Sequence, residues 1–523
     1  MNMEKAAENN WSEVSAQPCE LISVSQMYKA DAAAIAAGVS GAVLMENAGQ
    51  AIFDAITARW TARPTLVLCG PGNNGGDGFV VARLLREAGW DVELALLGET
   101  ARLTGDAAYH AAAWTGDVLP FDSSVIDGKS LIVDAIFGAG LSRALDGRAA
   151  MMVRAVNRAV GQGDTEVVAV DVPSGISGDS GAVLGDLSLR AALTVTFFRR
   201  KVGHLLLPGR DAAGEVVVAD IGIPASVLES LDISCYRNGP AVWSGRFARR
   251  TSASHKYTAG HALVIGGSKM TGAARLAARA ALRIGAGLVS IAAARDALQI
   301  YALSSASIIT LASESLDELE NILSDPRKNA VLIGPGCGVT EQTRDAVLAI
   351  LRRQRATVLD ADALSVFAAA PETLFSALKF GALGSSVVLT PHDGEFRQLF
   401  PDITGDRLTR ARAAARRSGA IVVLKGSDTV IADPGGRAVI NDNAPPHLAT
   451  AGSGDVLAGL ILGLMAQSMP PFEASAAAVW THGELGRHLG PGLISEDLPD
   501  AVPTVLKAIL TRMDAKDASQ VKG

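Results

Sequence analysis

Leu66-Val67-Leu68-Cys69-Gly70-Pro71-Gly72-Asn73-Asn74-Gly75-Gly76-Asp77-Gly78 decides the fold. A short, wholly apolar run enters a loop of glycine, asparagine and one aspartate, and residues 79–85 then read as a helix. A strand apolar on both faces belongs to a parallel sheet covered by helices on each side. The pattern recurs. Residues 92–97 form a second candidate strand. Residues 131–133 end in Asp134 and lead into Ala135-Ile136-Phe137-Gly138-Ala139-Gly140. Residues 167–170 end in Asp171-Val172-Pro173-Ser174-Gly175, and 193–198 and 216–218 add two more. Helical patterning precedes them from Val24 to Ile35 and from Val43 to Trp60. In open α/β sheets ligands bind beyond the carboxyl ends of the strands. Asn73, Asn74, Asp77, Asp134, Asp171 and Ser174 all fall there, which favours a site over three unrelated helix caps.

The loop 70–78 lacks the GxGxxG spacing, so it does not predict the usual dinucleotide grip. Gly128-Lys129-Ser130 imitates the end of a P-loop, but Ser123 stands where its first glycine is required.

Asn238-Gly239-Pro240 is a turn signal that places a domain boundary near 240. Arg246, Arg249, Arg250, His255 and Lys256 follow, as a solvated linker or as a cover over a phosphate site. A second alternation then begins. Strand 262–265 ends in Gly266-Gly267-Ser268, helix 273–284 follows, and 288–292 is the next strand. Strand 330–333 ends in Gly334-Pro335-Gly336-Cys337-Gly338, and 357–359 in Asp360-Ala361-Asp362-Ala363. Strand 387–389 ends in Thr390-Pro391-His392-Asp393-Gly394-Glu395, and 421–424 in Lys425-Gly426-Ser427-Asp428-Thr429. Last comes Thr450-Ala451-Gly452-Ser453-Gly454-Asp455 before an apolar helix. Uncovered N–H groups at such a helix start attract phosphate, and the carboxylate can take a proton from a neighbouring hydroxyl. Asp455 equally suits a plain helix cap. Asp360 and Asp362 read as turn formers or as metal-linked carboxylates, Lys425 as solvated or ligand-bound, and His392 as a binding group rather than an acid or base. His110, His204, His447, His482 and His488 show no ligand spacing.

Composition narrows the class. The 523 residues are 49% hydrophobic and 19% charged, enough for about two to four domains with large cores. A net charge of −7 argues against a general nucleic-acid binder or a binder of acidic membranes. Four scattered cysteines predict a reducing compartment without disulfides or zinc. No secretory signal and no apolar run of about 18 residues is read, so the expectation is a cytoplasmic, soluble protein.

The motifs Gly72–Gly78, Asp134–Gly140 and Asp171–Gly175 resemble the NAD(P)H-hydrate epimerase family over about 20–235. The resemblance implies a Rossmann-like domain that interconverts the R and S hydrates of NADH and NADPH. It also implies potassium on Asn74, Asp134 and Ser174, oxygen donors that suit a hard monovalent cation. The hydrated cofactor would meet Asn73, Asn74, Gly75, Gly76 and Asp77, then Gly138, Ala139, Gly140, Leu141, Ser142, Arg143 and Ala144, with Asp171 as the acid/base group. Ala139 stands where the family usually shows threonine.

The second half resembles the ADP- or ATP-dependent NAD(P)H-hydrate dehydratases of the ribokinase-like superfamily over about 245–510. Gly334–Gly338, Asp360–Ala363, Thr390–Glu395 and Ala451–Asp455 carry the resemblance, and Cys337 departs from the usual apolar residue. It implies contacts of Lys425, Gly426, Ser427, Asp428, Thr429 and Gly454 with the nucleotide. Ala274, Gly338, His392 and Asp455 would meet the hydrate. It further implies phosphorylation of the ring hydroxyl, with Asp455 as base and Mg2+ spreading the charge, and loss of phosphate as ADP becomes AMP. Together the halves resemble bacterial bifunctional NAD(P)H-hydrate repair enzymes, with NADHX, NADPHX and ADP as partners and a homo-oligomer expected. The fold class is then two three-layer α/β domains: a mobile extension 1–20, an epimerase domain 21–240, a dehydratase domain 241–513 and a frayed tail 514–523. The competing expectation is a ribokinase-like small-molecule kinase with an accessory domain. It accounts for the Asp455 loop but not for Asn73 and Asn74.

Overall fold

The apolar runs become strands because each residue finds a helix layer on its own side of the sheet. A computed structural model describes residues 18–379 and 386–520. It divides into two compact units, Glu20–Cys235 and Tyr236 onward. The division falls ahead of the expected 240, because Tyr236 packs on the second core and Asn238 donates its backbone N–H to Ile440 O at 2.8 Å. Most of the expected extension, residues 1–17, lies outside the described residues.

In the first unit the short strands Glu20–Ile22 and Arg200–Lys201 pair with each other outside the seven-stranded sheet, whose strands are β1 (Thr65–Cys69), β2 (Val92–Leu96), β3 (Val118–Pro120), β4 (Leu131–Ala135), β5 (Glu166–Val170), β6 (Leu193–Phe197) and β7 (Glu215–Ala219). They form a parallel sheet in the order β3-β2-β1-β4-β5-β6-β7. Val67 and Cys69 face one apolar layer with Ile52 and Phe79, and Leu66 and Leu68 face the other with Met152 and Val156. The strand order reverses between β1 and β4, the point at which such sheets open a crevice.

The stretch 70–78 is not all loop. The helix Asn73–Glu87 begins at its first asparagine, so Gly75, Gly76 and Gly78 are helical. The glycines are there for space rather than for flexibility. A Cβ on Gly75 would lie 1.9 Å from Gly70 O, one on Gly76 2.5 Å from Met45 Sδ, and one on Gly78 2.7 Å from Ala135 Cβ. The helix start is thereby pressed against the strand ends. In an open helix Gly→Ala stabilises by roughly 1 kcal/mol. Here Gly75→Ala is expected to destabilise by about 1–3 kcal/mol through overpacking against backbone, read as a lower unfolding midpoint in urea.

In the second unit the strands are β8 (His261–Ile265), β9 (Leu288–Ala293), β10 (Ile308–Ala312), β11 (Ala330–Ile333), β12 (Ala356–Leu359), β13 (Val387–Leu389), β14 (Ile421–Leu424), β15 (Val430–Ala432) and β16 (Ala438–Ile440). Their order is β10-β9-β8-β11-β12-β13-β14-β15-β16, parallel except for the antiparallel β14–β15–β16 meander. β3, β10, β15 and β16 were not expected. β3, β15 and β16 have three residues each, and β3 and β10 lie at the ends of these strand orders. The helix Ser453–Ala466 crosses Thr271–Arg283 closely, since a Cβ on Gly459 would lie 2.2 Å from Ala277 O. The last helix runs to Gln520, past the 514 where a frayed tail was expected, and Ile509 and Met513 hold its inner face in the core.

No single helix among the described residues is long and apolar enough to cross a membrane. The helices Val24–Ala36 and Gly41–Thr57 pass that test only as a pair bent by 120°, and Ala30, Ala34, Ile52 and Ile56 bury their apolar faces in the core.

Candidate active sites

The first site lies over the ends of β1, β4 and β5. It is a cavity of about 530 Å3 lined by Asn73, Asn74, Asp77 and Asp171, and by Gly138, Ala139, Gly140, Leu141, Ser142 and Arg143. Of the residues assigned to the hydrate, Gly75, Gly76 and Ala144 do not line it. The glycines pack the helix, and Ala144 lies against Gly185.

Asp134 on β4 is fully buried. Its Oδ1 accepts from Ser174 Oγ at 2.6 Å, and its Oδ2 from the Ser174 N–H at 2.7 Å. Burial pushes this carboxyl up to about 6, and only hydrogen bonds from Ser174 and Ile136 oppose the rise. The Asn74 amide is buried with Nδ2 unpartnered, and its Oδ1 crowds Gly138, where a Cβ would be 2.7 Å away.

Asp171 ends β5 in a left-handed conformation (φ 63°). Its Oδ1 accepts from Lys201 Nζ at 2.7 Å and Thr196 Oγ1 at 2.8 Å, and its Oδ2 from the Ala139 N–H at 3.1 Å. Burial raises its pKa, but the charge and hydrogen bond of Lys201, with the Ala139 N–H, outweigh this and hold it below the usual range. Lys201 is fully buried. The Lys201 N–H donates to His204 Nδ1 at 3.1 Å, so His204 Nε2 carries the hydrogen and donates to Asp171 O at 2.8 Å. Burial keeps His204 neutral, pulled down to about 4.

Beside Asp171, three further carboxyls line the cavity, Asp31, Asp77 and Asp106. Burial, with the charge of Asp171 adding to it, pushes Asp31 up to about 6. Burial and the charges of Asp171 and Asp31 push Asp77 well above its usual value. One carboxylate is thus stabilised as an anion while Asp31 and Asp77 are displaced toward the protonated form, a separation that marks acid/base sites. Lys201, His204, Thr196 and Asp31 were missed by the sequence reading. A Lys in an Arg-Arg-Lys run looks solvated, and Asp31 looks like the polar face of a helix.

The second site lies over β12, β13 and β14. Gly452 takes φ 88° and turns the chain into the helix Ser453–Ala466, whose first turn carries Asp455. Ser453 Oγ lies 3.0 Å from His482 Nε2, and Ser495 Oγ donates to Ala451 O at 2.6 Å, so the loop is held from both sides. Burial keeps His482 neutral, at about 4. Lys425 is not solvated. Its Nζ meets Asp360 Oδ1 at 2.7 Å and stands 3.6 Å from where a Gly454 Cβ would be. Asp360 also accepts from Thr390 Oγ1 at 2.7 Å, and Asp362 accepts from the Gly338 N–H at 2.8 Å. Burial, then the charge of Asp360, raises Asp455 to about 6, Asp362 adding and Lys425 opposing.

His392 Nδ1 accepts from the N–H groups of Gly394 and Glu395 at 2.9 and 3.2 Å, capping the helix Asp393–Leu399. Its Nε2 lies 3.5 Å from Glu395 Oε1, on a side chain that is 59% exposed, so His392 can meet a ligand but is no buried acid. Asp428 is engaged by Arg407 at 2.9 Å, and Arg407 also donates to Lys425 O at 3.0 Å. Thr429 Oγ1 closes the 425–429 turn on Gly426 O at 2.7 Å. Ala274, expected to meet the hydrate, is fully buried in the aliphatic core, where helix packing leaves its methyl no solvent face. The basic stretch resolves as well. Arg249 and Arg250 line a cavity with Leu282, Arg283 and Asp514 that includes no residue of the Asp455 loop.

Two α/β units, each with carboxylates of displaced pKa at a strand-end crevice, define a two-site enzyme of the nucleotide-handling α/β class. Sequence comparison gives the particular family. Residues 41–203 match the YjeF-related protein N-terminus, and 262–499 match NAD(P)H-hydrate dehydratase. A bifunctional NAD(P)H-hydrate repair enzyme from Moorella thermoacetica is 38% identical over 505 residues, covering 89% of this chain and 92% of the relative. One from Pyrobaculum aerophilum is 36% identical, covering 93% and 98%. An ADP/ATP-dependent NAD(P)H-hydrate dehydratase from Bacillus subtilis, crystallised with ATP and Mg2+, is 28% identical with a TM-score of 0.43, covering 50% of this chain and 94% of its own. The chain belongs to the bifunctional NAD(P)H-hydrate repair enzymes, which join an epimerase to a dehydratase.

Proposed function

We propose that the Asp171 cavity epimerises the hydrates of NADH and NADPH, and that the Asp455 site dehydrates the S form using ADP. The observation that carries the reading is the presence of both carboxylate sites in one chain. A small-molecule kinase would need only the second.

In the first site the hydrated carbon sits beside the ring nitrogen. The nitrogen lone pair forms an iminium as the C–O bond breaks, and a protonated Asp77 or Asp31 gives the leaving hydroxide its proton. Water adds to the opposite face and loses a proton to Asp171. Lys201 keeps Asp171 ionised, and His204 and Thr196 fix its position.

Asn74, Asp134 and Ser174 would hold the potassium ion. The fit rests on Asp134, a fully buried carboxylate hydrogen-bonded by Ser174 and the Ile136 N–H, and on the unpartnered Asn74 Nδ2 beside it. An ion there compensates buried charge. Potassium is therefore expected to raise the unfolding midpoint of the first unit more at pH 8 than at pH 5, where Asp134, displaced to about 6, is mostly protonated. Thermal scans in potassium against tetramethylammonium chloride measure this. An equal rise at both pH values would remove Asp134 from the cation site.

In the second site Asp455 removes the proton of the ring hydroxyl as that oxygen attacks the terminal phosphorus of ADP. N–H groups at the Gly452–Gly454 turn stabilise the transferring phosphoryl group, and Lys425 at Gly454 adds positive charge. Mg2+ would be held through the nucleotide phosphates and would supply further charge neutralisation there. The ring nitrogen lone pair then expels the phosphate as inorganic phosphate, the adjacent ring carbon gives up a proton to the departing phosphate so that the ring double bond is restored, and AMP remains.

The test is incubation with mixed NADHX epimers and ADP. Recovery of NADH absorbance from both epimers is expected. Phosphorylation of a small alcohol without recovery of NADH would refute the reading.

A further inference from the structure

Arg407 begins the helix Arg407–Ser418, and its guanidinium joins the chain segments that follow β13 and β14. Each of its nitrogens serves a different acceptor. Nη2 meets Asp393 Oδ2 at 2.7 Å, Nη1 donates to Lys425 O at 3.0 Å, and Nε meets Asp428 Oδ1 at 2.9 Å. Asp393 starts the helix after β13, whereas Lys425 and Asp428 belong to the turn after β14. Arg410, in the same helix as Arg407, takes the other Asp393 oxygen at 2.6 Å and lies over the Phe396 ring at 4.6 Å. Burial raises the Asp393 carboxyl, but the hydrogen bonds and charges of Arg410 and Arg407 outweigh it and hold it below its usual range. Asp428 is buried, and the Arg407 side chain is mostly so. Gly426 lets the guanidinium close on the turn, since a Cβ there would lie 2.8 Å from Arg407 Cζ. The backbone joins the same two segments where the strands end, by the Lys425 N–H to Pro391 O at 2.9 Å.

These two segments carry the two substrates of the second site. His392, next to Asp393, is on the hydrate side, and residues 425–429 are on the nucleotide side. Neither proton removal nor phosphoryl transfer uses Arg407. A planar guanidinium holds several acceptors in fixed geometry, which the point charge of a lysine on its flexible stem does not. A rigid link of this kind makes the ordering of one turn lower the cost of ordering the other. Resting on the dehydratase reading above, we infer that Arg407 is a positioning residue that couples the His392 turn to the 425–429 turn, so that each substrate raises the affinity for the other. The effect is reciprocal, because both substrates draw on the same link.

Asp393→Ala cuts the hydrate-side end of the link at a side chain that is 37% exposed, and leaves Arg407 on Lys425 O and Asp428. Arg407→Lys keeps the charge and removes the fork. In the unaltered protein the KM for ADP is expected to fall on the order of tenfold between trace and saturating NADHX, and the KM for NADHX to fall likewise with ADP. In both variants that ratio drops to about one, while in Asp393→Ala the KM for ADP at trace NADHX stays where it was. A merely structural role would lower the unfolding midpoint and leave the ratio intact. A ratio near one in the unaltered protein, or a ratio retained in either variant, overturns the coupling. Hydrogen exchange with ADP alone reads the link without turnover. ADP is expected to slow exchange at 425–429 and at 392–396 in the unaltered protein, and at 425–429 alone in Asp393→Ala. Slowing confined to 425–429 in the unaltered protein, or slowing at 392–396 that survives Asp393→Ala, overturns the link. If NADHX is not turned over but exchange follows the expected pattern, the dehydratase reading has failed and the link stands. If ADP slows neither turn, the nucleotide assignment and the link fall together.

Discussion

Asp455→Asn is expected to lower dehydration by about 10²–10⁴-fold while epimerisation, followed by exchange of the R and S hydrates, continues at the unaltered rate. The asparagine keeps the shape of the side chain but accepts no proton. ADP affinity should survive, because the helix start and Lys425 are untouched. The same carboxylate sets the pH profile. With Asp455 displaced to about 6, kcat/KM of dehydration rises with pH through that value and levels above it, and the variant loses this limb. Stability moves the other way. A carboxyl whose folded pKa lies above its unfolded value near 4 costs stability as pH rises from about 4 to 6. Above that window the Asn variant, freed of repulsion from Asp360 and Asp362, should unfold at the same or a higher temperature. A variant that dehydrates at the full rate would show that another group is the base.

Lys201→Met is expected to abolish epimerisation and to destabilise the first unit by about 3–5 kcal/mol, because Asp171 is left buried without its cation. The double variant Lys201→Met with Asp171→Asn removes both charges. It should regain most of the stability in urea titrations and none of the epimerisation, since the base is gone. Dehydration supplied with the S hydrate stays normal in both. That pattern separates a catalytic pair from a purely structural one. A single Lys201→Met protein that epimerises at the unaltered rate would show that epimerisation does not depend on the Lys201–Asp171 pair.

Most of the architecture was legible in the chain because its signals are local. A buried parallel strand is a short apolar run, and the residues that follow it in sequence are at the sheet edge in space. Asn74, Asp134, Asp171, Lys425 and Asp455 could be placed by that rule alone. The rule fails for partners that arrive from elsewhere. Lys201 reaches Asp171 from beyond β6, and Asp31 comes from a helix ahead of the sheet. Neither has a spacing that names its partner.

By itself, then, the sequence determined two α/β units, the strand ends that carry their chemistry, and a family resemblance that the relatives bear out. Tertiary structure alone decided the protonation of those groups. It set one lysine against four carboxyls in the first cavity, paired Lys425 with Asp360, and buried Gly75, Gly76 and Ala274 in packing contacts. Charge state depends on burial and on neighbours distant in sequence, and those distances exist only after the chain has folded.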